Sequence, residues 1–161
     1  MPSPPAAAPR PSFWQRRLLG PLGAQLTQGV TPERLALTVA VGTACSLLPF
    51  LGFTTLLNLA VGLRLRLNQP ILQTVNYLLT PVQLSLILVY VRAGEFIWRA
   101  EPMPLSIPTL VGSFRANPGI FLEDFWLTGA HAATAWLLSV PLIIATLYHP
   151  LRAALRRFAK K

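Results

Sequence analysis

Three long uncharged blocks alternate with charged connections along this chain. Residues 35–63, 67–91 and 125–151 contain no Lys, Arg, Asp or Glu. Each block is longer than the roughly 20 residues that an α-helix needs to cross about 30 Å of hydrocarbon. The pattern predicts an all-α, polytopic membrane protein whose helical membrane domain covers residues 31–151.

The first block is interrupted at its middle by Pro49 and Gly52. Proline lacks the backbone donor of a helix, and glycine adopts conformations that other residues avoid. Thr31 and Pro32 suit the N-cap and first position of a helix. We therefore expect a helix from Pro32 to Leu48, a corner, and a second short helix, which together form a re-entrant segment.

The second block contains Pro81 at its middle, which predicts a broken second segment. It also carries polar residues at spacings of four, three, four and three, which place them on one stripe of a helix: Gln69, Gln73, Asn76, Thr80 and Gln83. An amide facing lipid would leave its polar groups unpaired, so the stripe must face protein, water or a ligand. Two interpretations stay open, namely hydrogen bonds between helices and a polar pathway or binding surface.

The remaining segments complete the predicted domain organisation. Residues 1–12 are rich in Pro and Ala and are expected to be disordered. Residues 13–30 mix apolar residues with arginine, as an interfacial amphipathic segment does. The block 125–151 predicts a C-terminal spanning helix, and residues 152–161 form a basic tail.

The distribution of Lys and Arg discriminates between topologies. If all three blocks cross the membrane, the 14 cations divide seven against seven. If the first block is a re-entrant hairpin and only the other two cross, they divide eleven against three, as the positive-inside rule favours. If both broken blocks are re-entrant, the division is nine against five. We favour two crossings, with both termini in the cytoplasm.

Composition excludes several classes of function. The chain has 53% hydrophobic and only 12% charged residues, and its net charge is +9. Because the cations flank apolar blocks, they suit anionic lipids, and no nucleic-acid partner is expected. The sequence contains no catalytic set, phosphate loop or metal-ligand spacing, so we expect no enzyme activity, no cofactor and no metal.

One run of residues resembles a known family. The sequence GTACSLLPFLGFTTLLNLAVGLRLRLNQP (residues 42–70), followed by Asn76, Thr80-Pro81 and Arg92-Ala93-Gly94, resembles the bacterial domain of unknown function 2062 family. The resemblance covers about residues 35–96, and Pro81 stands five residues after Asn76 where the family has proline next to asparagine. It implies a small inner-membrane protein without an established role, some of whose relatives are joined to glycosyltransferase-like domains.

These observations lead to two hypotheses of function. In the first, the protein binds or transports an anionic or lipid-linked envelope substrate where the two breaks meet. In the second, it is a non-catalytic structural or assembly partner of an envelope membrane complex. A homo-oligomer or a membrane-protein partner is expected in either case. The candidate substrate-binding residues lie at the breaks or at the basic edge beside them: Pro49, Phe50, Gly52, Thr54, Thr55, Asn58, Arg64, Arg66, Asn68, Gln73, Asn76, Thr80, Pro81 and Gln83.

Overall fold

The computed structural model describes the backbone of residues 31–159 and the side chains of residues 31–157. That range contains helices and no strand, so the all-α class is confirmed. The helices are α1 (Pro32–Ser46), α2 (Phe53–Arg64), α3 (Gln69–Trp98), α4 (Ile107–Ala116) and α5 (Pro118–Ala159). The expectations for residues 1–12 and 13–30 concern residues outside the described range.

The predicted break in the first block is confirmed. The Thr31 hydroxyl accepts a hydrogen bond from the Arg34 backbone N–H at 3.3 Å, which caps the start of α1. Helix α1 ends at Ser46, two residues before the predicted end. Gly52 has a φ of +85° directly before α2, a backbone conformation that favours glycine.

Helices α1 and α2 form an antiparallel hairpin whose open end is tied by one arginine. Arg66 closes α2 in the left-handed conformation, with a φ of +53°, and the Leu67 N–H reaches the Gly62 carbonyl at 2.8 Å. The Arg34 guanidinium donates to the Arg66 carbonyl at 2.8 Å and to the Leu65 carbonyl at 3.4 Å. The start of α1 therefore lies beside the end of α2.

The predicted break at Pro81 is wrong, because α3 continues through this residue from Gln69 to Trp98. Proline removes the N–H that would donate to the Tyr77 carbonyl, but a helix continues through it where other contacts hold both sides in place. Asn76 and Gln83, on either side of Pro81, both donate hydrogen bonds to the hairpin, at 3.1 and 2.8 Å. The local cost of proline was therefore not enough to end the helix.

Helix α1 packs against both α3 and α5. The Trp136 indole N–H on α5 donates to the Ala44 carbonyl on α1 at 2.9 Å. Gly94 of α3 lies against the backbone of His131 on α5, with no room for a Cβ atom. Near the C-terminal end of α5, Arg156 forms an ion pair with Glu33 of α1. Helix α5 therefore returns to the end of the bundle at which α1 starts.

Two of the described helices, α3 and α5, are long and apolar enough to cross a membrane, judged by length and composition. Only 17% and 11% of the residues in their most apolar windows are buried within the described chain. A core helix of a soluble protein would have most of these residues covered. The structure therefore leaves two long apolar surfaces uncovered.

Candidate functional site

A buried polar cluster joins the hairpin to α3, and Asn58 lies at its centre. Asn58 is 0% exposed. Its amide N–H groups lie within hydrogen-bond distance of the Ser46 hydroxyl at 3.1 Å, the Thr54 carbonyl at 3.0 Å and the Asn76 side-chain oxygen at 3.4 Å. One side chain thus links α1, α2 and α3.

The amide stripe of α3 faces this hairpin. Gln73 donates to the Thr55 carbonyl at 3.4 Å, and Asn76 donates to the Thr55 hydroxyl at 3.1 Å. Gln83 donates to the Leu48 carbonyl at the corner, at 2.8 Å. The stripe therefore makes hydrogen bonds between helices of the same chain, which was one of the two interpretations of its spacing.

The buried side-chain atoms of this cluster that have no partner at all are oxygens, which accept hydrogen bonds. The side-chain oxygens of Asn58, Gln69 and Gln73 are buried and have no partner among the described protein atoms. The side-chain N–H groups of these residues do donate, Gln69 to the Leu59 carbonyl at 3.2 Å. An anion requires donors, so the free groups of this cluster suit a donor such as water and do not suit an anion.

The structure separates the predicted site residues into four places. The polar cluster brings together Thr54, Thr55, Asn58, Gln73, Asn76 and Gln83. At the corner, Pro49 and Gly52 flank Phe50, whose ring lies 6.5 Å from the Trp126 ring. Thr80 bonds within its own helix, and Pro81 is exposed.

The other predicted residues, Arg64, Arg66 and Asn68, lie at the open end of the hairpin. The Asn68 side chain accepts from the Ile71 N–H at 3.1 Å, so it caps α3. Arg64 and Arg66 are exposed, and their side chains have no hydrogen-bond or ion-pair partner among residues 31–157. Two guanidinium groups are therefore available to a ligand.

The fold adds the end of α5 to these arginines. We call this region the arginine end, defined by Arg34, Arg64, Arg66, Arg152, Arg156 and Arg157. Its one described acidic residue is Glu33. The hydrogen bond from Arg156 lowers the pKa of the exposed Glu33 carboxyl below its ordinary value, and the charges of Arg156 and Arg152 act in the same direction. Glu33 is thus held in its charged form beside the arginines.

Sequence reasoning did not include the arginines of α5 in the site. Arg152 lies over the Tyr148 ring, 5.9 Å from its centroid, and its Nε is buried without a partner among the described residues. The sequence feature that could have indicated these arginines is the basic C-terminal stretch, which was interpreted as a tail. Only the packing of α5 against α1 places it beside Arg64 and Arg66.

Comparison with known proteins gives one match. A family model described as "Uncharacterized protein conserved in bacteria (DUF2062)" matches residues 17–161. The chain belongs to the DUF2062 family. This confirms the resemblance seen in residues 35–96 and extends it through α5. Searches of the curated proteins and of the solved structures found no match.

This DUF2062 chain has a second notable region at the other end of α3 and α5. A cavity of about 450 Å³ lies between residues 100–104, α4 and the first part of α5. Glu101 and Asp124 are among the residues that line it. Four of the five acidic residues fall within residues 92–124, but no sequence pattern predicted a cavity there. Among the described residues, no group of three or more His, Cys, Asp or Glu could hold a metal ion.

Proposed function

We propose that the protein is an integral protein of the bacterial inner membrane that binds a phosphate-bearing, anionic head group at its arginine end. In this proposal α3 and α5 cross the membrane, and the α1–α2 hairpin enters from the cytoplasmic side and returns to it. The protein has no catalytic role. The head group belongs to a phospholipid or to a lipid-linked envelope substrate.

The dimensions of the hairpin support a re-entrant segment. Helices α1 and α2 contain 15 and 12 residues, which correspond to about 22 and 18 Å at 1.5 Å per residue. Both are shorter than the roughly 30 Å of a hydrocarbon core. The corner carbonyl of Leu48 meets Gln83, which lies at the midpoint of α3. The hairpin therefore extends along about half of α3, and two polar residues of α2, Thr54 and Asn58, are buried within the protein, which favours a re-entrant segment.

The charges of the described helices support an orientation with the arginine end on the cytoplasmic side of the membrane. Six arginines and one acidic residue lie at the arginine end, while the opposite end combines Arg92, Arg99 and Arg115 with four carboxylates. The positive-inside rule then places the arginine end in the cytoplasm. Anionic lipids of the cytoplasmic leaflet attract such cations with about 1 kcal/mol for each one near the surface.

The exposed, unpaired guanidinium groups of Arg64 and Arg66 carry the proposal. Guanidinium groups match phosphate oxygens in charge and in geometry. The amide N–H groups of the polar cluster, by contrast, are already donated to protein acceptors. We therefore assign the anion to the arginine end and assign a structural role to the polar cluster.

A second candidate function is a non-catalytic structural or assembly partner of an envelope complex. It is favoured by the hydrogen bonding of the polar cluster, because amides that hold a hairpin in place are what a packing role requires. The uncovered faces of α3 and α5 would then contact further copies or another membrane protein. Two crossing helices cannot enclose a transport path alone, so transport also requires such neighbours.

The topology is tested by labelling single cysteines in intact cells and in inverted vesicles, in a Cys45→Ser background. We expect Arg64→Cys and Ala159→Cys to react from the cytoplasmic side only, and Arg115→Cys to react from outside only. A cysteine before α1, Gln28→Cys, should also react from the cytoplasmic side, whereas in a three-crossing protein Gln28→Cys and Ala159→Cys would react from opposite sides. That result would eliminate the re-entrant hairpin.

Head-group binding is tested with purified full-length protein in detergent micelles, by measuring retention of phosphatidylglycerol and of phosphatidylcholine in native mass spectrometry. We expect phosphatidylglycerol to be preferred, and the double substitution Arg64→Gln/Arg66→Gln to weaken its binding about thirtyfold, since each of the two cations contributes about 1 kcal/mol. Arg115→Gln is the matched control, an exposed arginine at the opposite end, and should leave binding unchanged.

Two further outcomes distinguish the ligands and limit the proposal. If inorganic phosphate displaces phosphatidylglycerol, the phosphate group itself is recognised; if it does not, the lipid tails contribute to recognition. Equal binding of both lipids, or equal effects of the double substitution and of Arg115→Gln, would reject a head-group site at the arginine end.

A further inference from the structure

The cavity opposite the arginine end is bounded by three different segments. Residues 100–104 form one wall, α4 with its C-cap Asn117 forms a second, and the first part of α5, from Ile120 to His131, contributes the third. Its volume of about 450 Å³ lies within the range of about 300–1,000 Å³ that is common for small-molecule sites. The cavity is therefore large enough for a small organic ligand.

An ion pair between the half-exposed Arg92 and the buried Glu95 holds the first wall in place. Glu95 is 4% exposed, and its carboxylate accepts from the Arg92 guanidinium at 2.7 Å and from the Met103 backbone N–H at 2.8 Å. Arg92 also donates to the Met103 carbonyl at 3.3 Å. Met103 lines the cavity. The ion pair thus fixes both backbone groups of a lining residue, which makes this wall pre-organised.

The part of the cavity nearest to α3 is fixed by close packing. Gly94 lies directly against the backbone of His131, and the His131 ring stacks on the Trp98 ring with 5.5 Å between centroids. His131 also lines the cavity. Because this contact joins α3 to α5, the cavity keeps its shape unless the two long helices separate.

The lining combines negative charge with apolar surface. Glu101 and Asp124 supply carboxylates, Phe121 supplies an aromatic ring, and Leu110 and Leu127 supply aliphatic side chains. Among residues 31–157, no lysine or arginine lines the cavity. Arg92 and Arg99 line the neighbouring open surface instead, and Arg92 is paired with Glu95.

We propose that this cavity binds a small organic ammonium ion with an apolar body. The carboxylates attract the ammonium group, and the aromatic and aliphatic side chains cover the rest of the ligand. An anion would be repelled by both carboxylates. The proposal goes beyond head-group binding and does not depend on it, since it concerns the opposite end of α3 and α5.

The test compares two probes that differ in charge and share a body, tryptamine and its neutral analogue tryptophol. Binding to the full-length protein in detergent micelles at pH 8 is measured by isothermal titration calorimetry. We expect tryptamine to bind about tenfold more tightly than tryptophol. Equal affinity of the two probes, or no binding of tryptamine, would overturn the proposal.

Substitutions locate the binding. Glu101→Gln and Asp124→Asn should each weaken tryptamine binding about two- to fivefold, since exposed charge pairs contribute up to about 1 kcal/mol, and should leave tryptophol unaffected. Glu123→Gln is the matched control, because Glu123 adjoins Asp124 in sequence but does not line the cavity. All three side chains are exposed, so unchanged melting temperatures are expected. An equal loss with Glu123→Gln would show attraction by general surface charge and would reject the site.

Discussion

Replacing Gly94 with alanine is expected to destabilise the folded protein by about 3 kcal/mol, at the upper end of the usual cost of overpacking. A Cβ atom at this position would overlap the backbone carbonyl of His131 and would meet the Ala132 nitrogen at 2.7 Å. These are backbone atoms of α5, which cannot rotate away as a flexible side chain could. The two helices must therefore move apart, and the loss is measured by thermal or denaturant unfolding of the full-length protein in detergent micelles.

The matched control is Gly112→Ala on α4. A Cβ atom there meets nothing within 4 Å, and alanine is favoured over glycine inside a helix by about 0.5–1 kcal/mol. We expect this variant to be unchanged or slightly more stable. If Gly94→Ala were as well tolerated as Gly112→Ala, the close contact between α3 and α5 described here would be incorrect.

The substitution Asn58→Leu is expected to cost about 2–3 kcal/mol, although leucine has the same number of side-chain heavy atoms, branched in the same way, and is more apolar. Asn58 is 0% exposed and provides the donors that reach Ser46, Thr54 and Asn76. Without them, buried acceptors in α2 and α3 lose a partner, and each unsatisfied group costs about 1–3 kcal/mol. The same unfolding measurement in micelles tests this expectation.

Two further variants show whether the loss comes from the polar cluster. Thr74→Ala removes an exposed hydroxyl that bonds only within α3, to the Pro70 carbonyl, and should change stability by less than about 0.5 kcal/mol. The double variant Asn58→Leu/Asn76→Leu should cost less than the sum of its parts, because the two residues share hydrogen bonds. Strict additivity would mean that Asn58 and Asn76 do not interact as described.

The packing at Gly94 and the hydrogen bonds around Asn58 determine which parts of the molecule remain available to ligands. The polar cluster uses its donors to hold the hairpin against α3, and Gly94 allows α3 and α5 to approach closely. The arginine end and the acidic cavity are thereby held at opposite ends of the same helix pair. The proposals of an anionic head group at one end and an organic cation at the other both rest on this separation of charge.

The sequence by itself determined the features that depend on neighbouring residues. Uncharged length predicted the helical blocks, Pro49 and Gly52 predicted the corner, and Thr31 predicted the first cap. The spacing of the amides predicted that they share one helical face, because helical periodicity is a local property. Pro81 was predicted wrongly, because a helix continues through a proline where other contacts hold both sides in place.

Only the tertiary structure decided which faces meet. The pairing of Glu33 with Arg156 joins residues 123 positions apart, and the bond from Gln83 to Leu48 spans 35 positions. No periodicity specifies such contacts, because they arise from the simultaneous packing of α1 against α3 and α5. That packing left acceptors unpaired in the polar cluster and brought the arginines of α5 beside Arg64 and Arg66, while the acidic cavity formed between residues 100–104, α4 and α5. The separation of the two candidate sites is therefore a property of the fold, whereas the helices that carry them are a property of the sequence.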